Sequence, residues 1–262
     1  ITTTYPSGFS ITNEYSNGYL TTIKKSDNSI IWKADSINAM GQPIQFTLGS
    51  SMLEKFQYDS YGKLVTKRIN NMYQTFIYDD TLENITERQI KREGSDWKSE
   101  SFYYDDVNRL SISTAPNQSS IHTNYDTRGN ITSKSEFGVL IYNDTHVNRL
   151  DSISTESQYS QMPDHVIGYT SENLTSSIDQ DPYHLEFLYG PSGGRVKTVL
   201  YEDGDTIKTK YYSLSYEKEI TGSGTRQLHY IYGPYGLIGV MIKQGETESF
   251  YYTETDHLGR II

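Results

Sequence analysis

A chain of 262 residues with a net charge of −10 and no cysteine excludes several classes before any motif is read. The acidic balance, with an isoelectric point near 5.1, argues against a phosphate-backbone partner, because affinity for nucleic acid is carried by clustered Lys and Arg; without thiols there is neither a disulfide framework nor a thiolate metal site. The 24 tyrosines outnumber 8 Phe, 5 Met and 2 Trp, and abundant Ser, Thr and Asn complete a β-rich, turn-rich mix whose apolar material is aromatic despite a mean hydropathy of −0.64.

In chain order, residues 1–49 read as degenerate β repeats. They hold one clear hairpin, with Asn17-Gly18 turning between 11–15 and 19–24, and the least regular stretch lies at 27–49. From residue 50 a motif recurs. Its units begin at Tyr58-Asp59-Ser60-Tyr61-Gly62, Tyr78-Asp79-Asp80, Tyr104-Asp105-Asp106, Tyr125-Asp126-Thr127-Arg128-Gly129, Tyr142-Asn143-Asp144, the shortened Tyr169-Thr170-Ser171, and Tyr189-Gly190-Pro191-Ser192-Gly193. The opening tyrosines step by 20, 26, 21, 17, 27 and 20 residues, so the spacing is loose while the motif is kept. A second hairpin turns at Asp203-Gly204, and 201–262 reads as the final hairpins. The whole is expected to be one continuous structural unit with little helix.

Each unit ends one strand on the aromatic, turns through Asp, Ser, Asn or Gly, and restarts on an alternating run such as Leu64-Val65-Thr66 or Ile131-Thr132-Ser133. The Asp after Tyr is placed to accept backbone N–H groups through the turn, Gly62 and Gly129 supply positive φ, and the tyrosine ring covers the turn. A hairpin cannot bury a face alone, so the series must stack edge to edge in a curved, spiralling strip.

Sharper chemical readings compete with bland ones. Asp79-Asp80 and Asp105-Asp106 could serve as paired carboxylates, but adjacent side chains diverge, and turn capping fits better. Glu202-Asp203-Gly204-Asp205 lacks the full ligand spacing of a calcium loop and reads as a hairpin tip. The histidines at 122, 146, 165, 184, 229 and 257 show no zinc-ligand spacing, and Gly190 to Gly194 lacks the lysine of a phosphate loop. Asn-x-Ser/Thr triplets begin at Asn84, Asn117, Asn130, Asn143 and Asn173, as expected by chance in so Ser/Thr-rich a chain. No catalytic, cofactor or metal residue is assigned.

The run of Tyr-Asp-x-x-Gly-x-Leu units resembles the YD-repeat family of bacterial Rhs and wall-associated proteins, Tc-toxin shells and animal teneurins. The likeness runs from about residue 50 to the end. Tyr232-Gly233 and, further on, Asp256-His257-Leu258-Gly259-Arg260 resemble the start of the Rhs-associated core, and this is the more specific motif. The resemblance implies an all-β strip of antiparallel hairpins around a large cavity, a hollow β-shell that encloses a toxic C-terminal domain of its parent chain. Self-cleavage in the family uses aspartates past the Asp-His-Leu-Gly segment, so no catalytic residue carries over.

The expectation is therefore a non-enzymatic, secreted or cell-surface segment of an Rhs-like shell, needing no cofactor and carrying a polymorphic toxin in bacterial competition or virulence. Its partners would be that toxin domain or the remaining shell repeats. The chain starts at Ile1 and stops in mid-pattern, and it reads as an excised piece. It holds no apolar run of the roughly 18 residues that a spanning helix needs. The alternative is a surface adhesin whose tyrosine rows grip a glycan or protein. A β-propeller hydrolase would need equal blades of about 40–50 residues, which the irregular steps do not supply.

Overall fold

The computed structural model describes residues 1–154 and 166–254. Among these there is no helix, and 24 strands run in chain order from β1 (Thr2–Thr4) to β24 (Thr247–Tyr252). β1 to β15 (Leu150–Ser154) form one 15-stranded sheet, and β16 (Val166–Tyr169) to β24 form a second of nine strands. In both sheets spatial order equals sequence order, each recorded pairing is antiparallel, and the first strand does not pair with the last. Within each sheet, consecutive strands are joined as hairpins, which is the topology short turns dictate.

The tyrosines that open the units end strands as the motif predicts. β6 (Met52–Tyr58), β8 (Met72–Tyr78), β10 (Lys98–Tyr104), β12 (Ile121–Tyr125), β14 (Gly138–Tyr142), β16 and β18 (Tyr183–Tyr189) each stop on one. The tight hairpins also hold: Asn17 and Gly18 have φ of 50° and 82°, and Asp203 and Gly204 have 50° and 88°, as a two-residue turn with both centres left-handed requires. The Glu202-Asp203-Gly204-Asp205 segment is thus a hairpin tip.

The chain forms two compact units. One comprises Ile1–Asp35, Thr47–Ser51 and the described residues from 166 to 254. Its core holds Ile23, Ile31, Trp32, Ile231 and Met241, each at most 2% exposed, and so combines the earliest strands with the latest. Lys25 Nζ lies 5.2 Å from the centre of the Phe250 ring, and a Cβ at Gly49 would come within 2.6 Å of the Tyr252 hydroxyl. Burial of such side chains supplies about 1.5–3 kcal/mol each.

The second unit comprises Ser36–Phe46 and the described residues from Met52 to 154. Period-two alternation is plain in β8, which buries Met72, Gln74 and Phe76. Phe46 and Phe56 meet edge to face at 5.4 Å. The same face carries charge: Lys67, 4% exposed, pairs with Glu54 at 2.9 Å, and Arg88 pairs with Glu100 directly opposite it on the adjacent strand.

Candidate functional site

The chemistry-bearing residues of the motif converge on the turns. Asp59 N–H donates to Lys63 O (3.0 Å) and Gly62 N–H donates back to Asp59 O (3.1 Å). The same pair of bonds recurs at Asp105 with Arg109 and Asn108, at Asp126 with Asn130 and Gly129, at Thr170 with Leu174 and Asn173, and at Gly190 with Gly194 and Gly193. The residue three past the start is left-handed throughout, with φ of 86°, 73°, 93°, 61° and 74° at Gly62, Asn108, Gly129, Asn173 and Gly193. Gly and Asn alternate there because they tolerate that backbone best.

The aspartates cap these turns from the side. Asp59 Oδ1 accepts from Tyr61 N–H (2.8 Å) and Lys63 N–H (2.9 Å), and Asp105 Oδ1 accepts from Val107 and Arg109. Asp126 Oδ1 does the same for Arg128 and Asn130, and Asp79 for Thr81 and Leu82. Donors aimed at the ionised carboxylate hold Asp59, Asp79 and Asp105 below the usual carboxylate range. Asp80 and Asp106, by contrast, are exposed. The adjacent carboxylates therefore have different duties and are not a convergent acid–base pair.

The tyrosines do more than cover a turn. Tyr78 Oη donates to Leu64 O (2.9 Å), Tyr104 to Ile85 O (2.9 Å), Tyr125 to Leu110 O (2.8 Å) and Tyr189 to Thr175 O (2.7 Å). In each case the acceptor is the first residue of the strand after the preceding unit's turn. Burial raises the Tyr78 and Tyr104 phenols, with Asp59 and Asp79 of the preceding units adding to it. A register shift falls immediately before every one of the seven opening tyrosines, Tyr142 included. That bulge turns the ring toward the neighbouring unit.

Sequence reasoning missed a third element. The residue that closes each turn reaches into the next turn, although its type changes every time. Gln42 Nε2 donates to Gly62 O (2.7 Å), Lys63 pairs with Glu83 at 3.4 Å, and the Asn84 amide donates to Asn108. Arg109 Nη1 donates to Asp126 O (3.1 Å) while its guanidinium lies 4.4 Å from the Tyr125 ring centre, and Asn130 Nδ2 donates to Val147 O (3.0 Å). Six successive turns of the second unit are stitched into one rim.

It also missed how far the turn extends into the degenerate region. Tyr5 with Phe9 and Gly8, Lys25 with Ser29 and Asn28, and Asn38 with Gln42 and Gly41 make the same paired bonds. The irregular stretch at 27–49 is therefore built on the same turn as the clear units.

Among the histidines, His122 and His146 are exposed. His184 of β18 is the cross-strand partner of Asp179 on β17 (Thr175–Gln180), with Nδ1 at 2.5 Å from Oδ1 and Nε2 at 3.3 Å from Glu186 Oε1, and Tyr201 Oη donates to Glu186 Oε2 (3.1 Å). The Asp179 hydrogen bond raises the imidazole's pKa. His229 is wholly buried. In the C-terminal motif, Tyr232 is exposed and ends the regular pairing at a register shift, and a Cβ on Gly233 would meet Ile238 Cδ1 at 2.6 Å. Asp256, His257, Leu258, Gly259, Arg260 and also His165 lie outside the described residues. No set of three or more His, Asp or Glu among the described residues is arranged to hold a metal ion.

No protein-family description matches this sequence, and no curated protein does. Solved structures do share its fold. A crystal structure of TcdB2-TccC3-TEV superposes with a TM-score of 0.59 at 11% identity, over 96% of this chain and 17% of that one. A Tc holotoxin pore of Photorhabdus luminescens carrying a mutated TccC3 superposes with a TM-score of 0.58 at 10% identity, over 97% and 17%. This chain thus has the fold of a stretch of Tc-toxin components and spans about a sixth of their length.

Proposed function

We propose that this chain is a wall segment of a hollow, non-enzymatic β-shell of the YD-repeat or Rhs type, which encloses a toxic domain of its parent chain. The observation that carries the reading is the fold shared with Tc-toxin components along 96% of the chain. The stitched turns supply the physical rationale. A wall must stay continuous where its hairpins reverse, and the row from Gln42 to Val147 ties six reversals along one rim of the second unit to one another. The consecutive strand order leaves few unpaired edges along the wall.

In such a shell the tyrosines and turn carboxylates act on geometry alone: they fix the bulge and hold the strands in register. Bacterial competition or virulence, with export to the cell surface or medium, is the setting that suits an enclosed toxin. The test is electron microscopy of the natural protein that contains this sequence. Hollow particles with density inside support the reading, and solid or extended particles refute it.

A further inference from the structure

We propose that Ser7 and His229 form an acid-opened latch, which holds the Tyr5–Phe9 turn on β22 (Gly224–Gly233) at neutral pH and releases it on acidification. This goes beyond a passive wall, and it rests on contacts within the first unit. The two residues are 222 positions apart, and Ser7 Oγ lies 2.6 Å from His229 Nε2. The other ring nitrogen, Nδ1, lies 3.0 Å from Met241 O, which can only accept. Nδ1 therefore carries the hydrogen, Nε2 presents its lone pair, and the Ser7 hydroxyl donates to it. Ser7 Oγ in turn accepts from Phe9 N–H at 3.2 Å. The neutral ring leaves every polar atom of this set matched.

The surroundings suit only that neutral form. The imidazole is 0% exposed and lies among Tyr5, Phe9 and Tyr216, with ring centres at 5.1, 5.3 and 5.2 Å. From the turn side no charge faces it, since Tyr5, Pro6, Ser7, Gly8 and Phe9 carry none. Tyr5 Oη is engaged with Tyr230 O (3.2 Å) and Tyr216 Oη with Gln227 (2.6 Å). The charged groups that act on the ring are Glu248 of β24 and Lys243 of β23 (Gly236–Gln244), and these pair with each other at 3.4 Å. A proton at Nε2 would remove the acceptor of the Ser7 hydroxyl and leave a charge in a ring-lined core. Burial accordingly pushes the His229 pKa down.

As pH falls below about 6.5, an open or unfolded state takes up this proton before the latched one, so the latch is fully formed above that pH and weakens below it. Opening frees the turn alone, because the Asn17-Gly18 hairpin beyond it keeps its own pairing.

Hydrogen exchange of the full chain between pH 8 and 5, corrected for intrinsic rates, tests this. Protection at Tyr5, Gly8 and Phe9 is expected to fall on acidification by up to about tenfold per pH unit, the limit for one linked proton, while β19 (Arg195–Glu202) holds. His229→Gln should remove the pH dependence, and His184→Gln should leave it intact. Ser7→Ala should lower protection at neutral pH. If His229→Gln does not fold, the ring's own NMR titration decides. A midpoint coincident with loss of protection supports the latch, whereas protection that ignores pH, or a dependence that survives in His229→Gln, overturns it.

Discussion

The Tyr104 hydroxyl donates a 2.9 Å hydrogen bond to the Ile85 carbonyl, so the aromatic that opens one unit is tied to the first residue of the strand that follows the preceding unit's turn. Tyr78, Tyr125 and Tyr189 repeat this bond, so four of the units are keyed to their predecessors by a single oxygen. Tyr104→Phe keeps the ring and removes the key. It should lower unfolding stability by about 1–2 kcal/mol, the cost of one lost bond and a less satisfied carbonyl. Tyr61→Phe, at an 81% exposed ring, should change nothing measurable in the same urea melts.

Gly62 stands at φ +86°, and a Cβ there would come within 2.9 Å of Met40 Cε. Gly62→Ala is expected to cost about 1–2 kcal/mol, the penalty of a left-handed residue with a side chain. At Asn173, φ 61°, in the same turn position, the reverse change Asn173→Gly should be close to neutral. Thermal melts of the pair check the difference.

The buried pair Lys67–Glu54 should be costly to break and cheap to replace. Lys67→Met leaves Glu54 uncompensated on a largely buried face and should destabilise by about 3–5 kcal/mol. The double variant Lys67→Met with Glu54→Leu should recover most of that loss in denaturant titration.

Two opposite pH responses are built into the fold. The turn carboxylates Asp59, Asp79 and Asp105 are held low by backbone N–H donors, so their contribution is present above about pH 4 and is lost as pH falls through the lowered folded pKa. His184, raised by Asp179, contributes fully below about pH 6.5, and that share fades as pH rises through its folded pKa. Urea midpoints against pH should therefore flatten at the acid end in Asp105→Asn. In His184→Gln the small decline above neutrality should disappear.

The strand–turn–strand unit is legible in the sequence because Tyr, Asp and Gly each have a local reason to stand where they do: strand end, N–H acceptor and left-handed φ. Hairpins at Asn17-Gly18 and Asp203-Gly204 are legible for the same reason. The stitching is not, because Gln42, Lys63, Asn84, Arg109 and Asn130 share a position and no chemistry beyond a donor. The Tyr5 turn is hidden because a tyrosine occupies the place that aspartate fills elsewhere. The Ser7–His229 contact spans 222 residues and depends on how early strands pack on late ones, which no local pattern encodes.

The central claim, that this chain is a wall around cargo, is tested most directly by limited proteolysis of the natural protein that contains it, with mass spectrometry following segments outside residues 1–262. The account predicts that such a segment resists cleavage in the native protein and is cut readily once the protein is unfolded. Equal cleavage in both states would contradict enclosure and move an exposed binding role ahead of it.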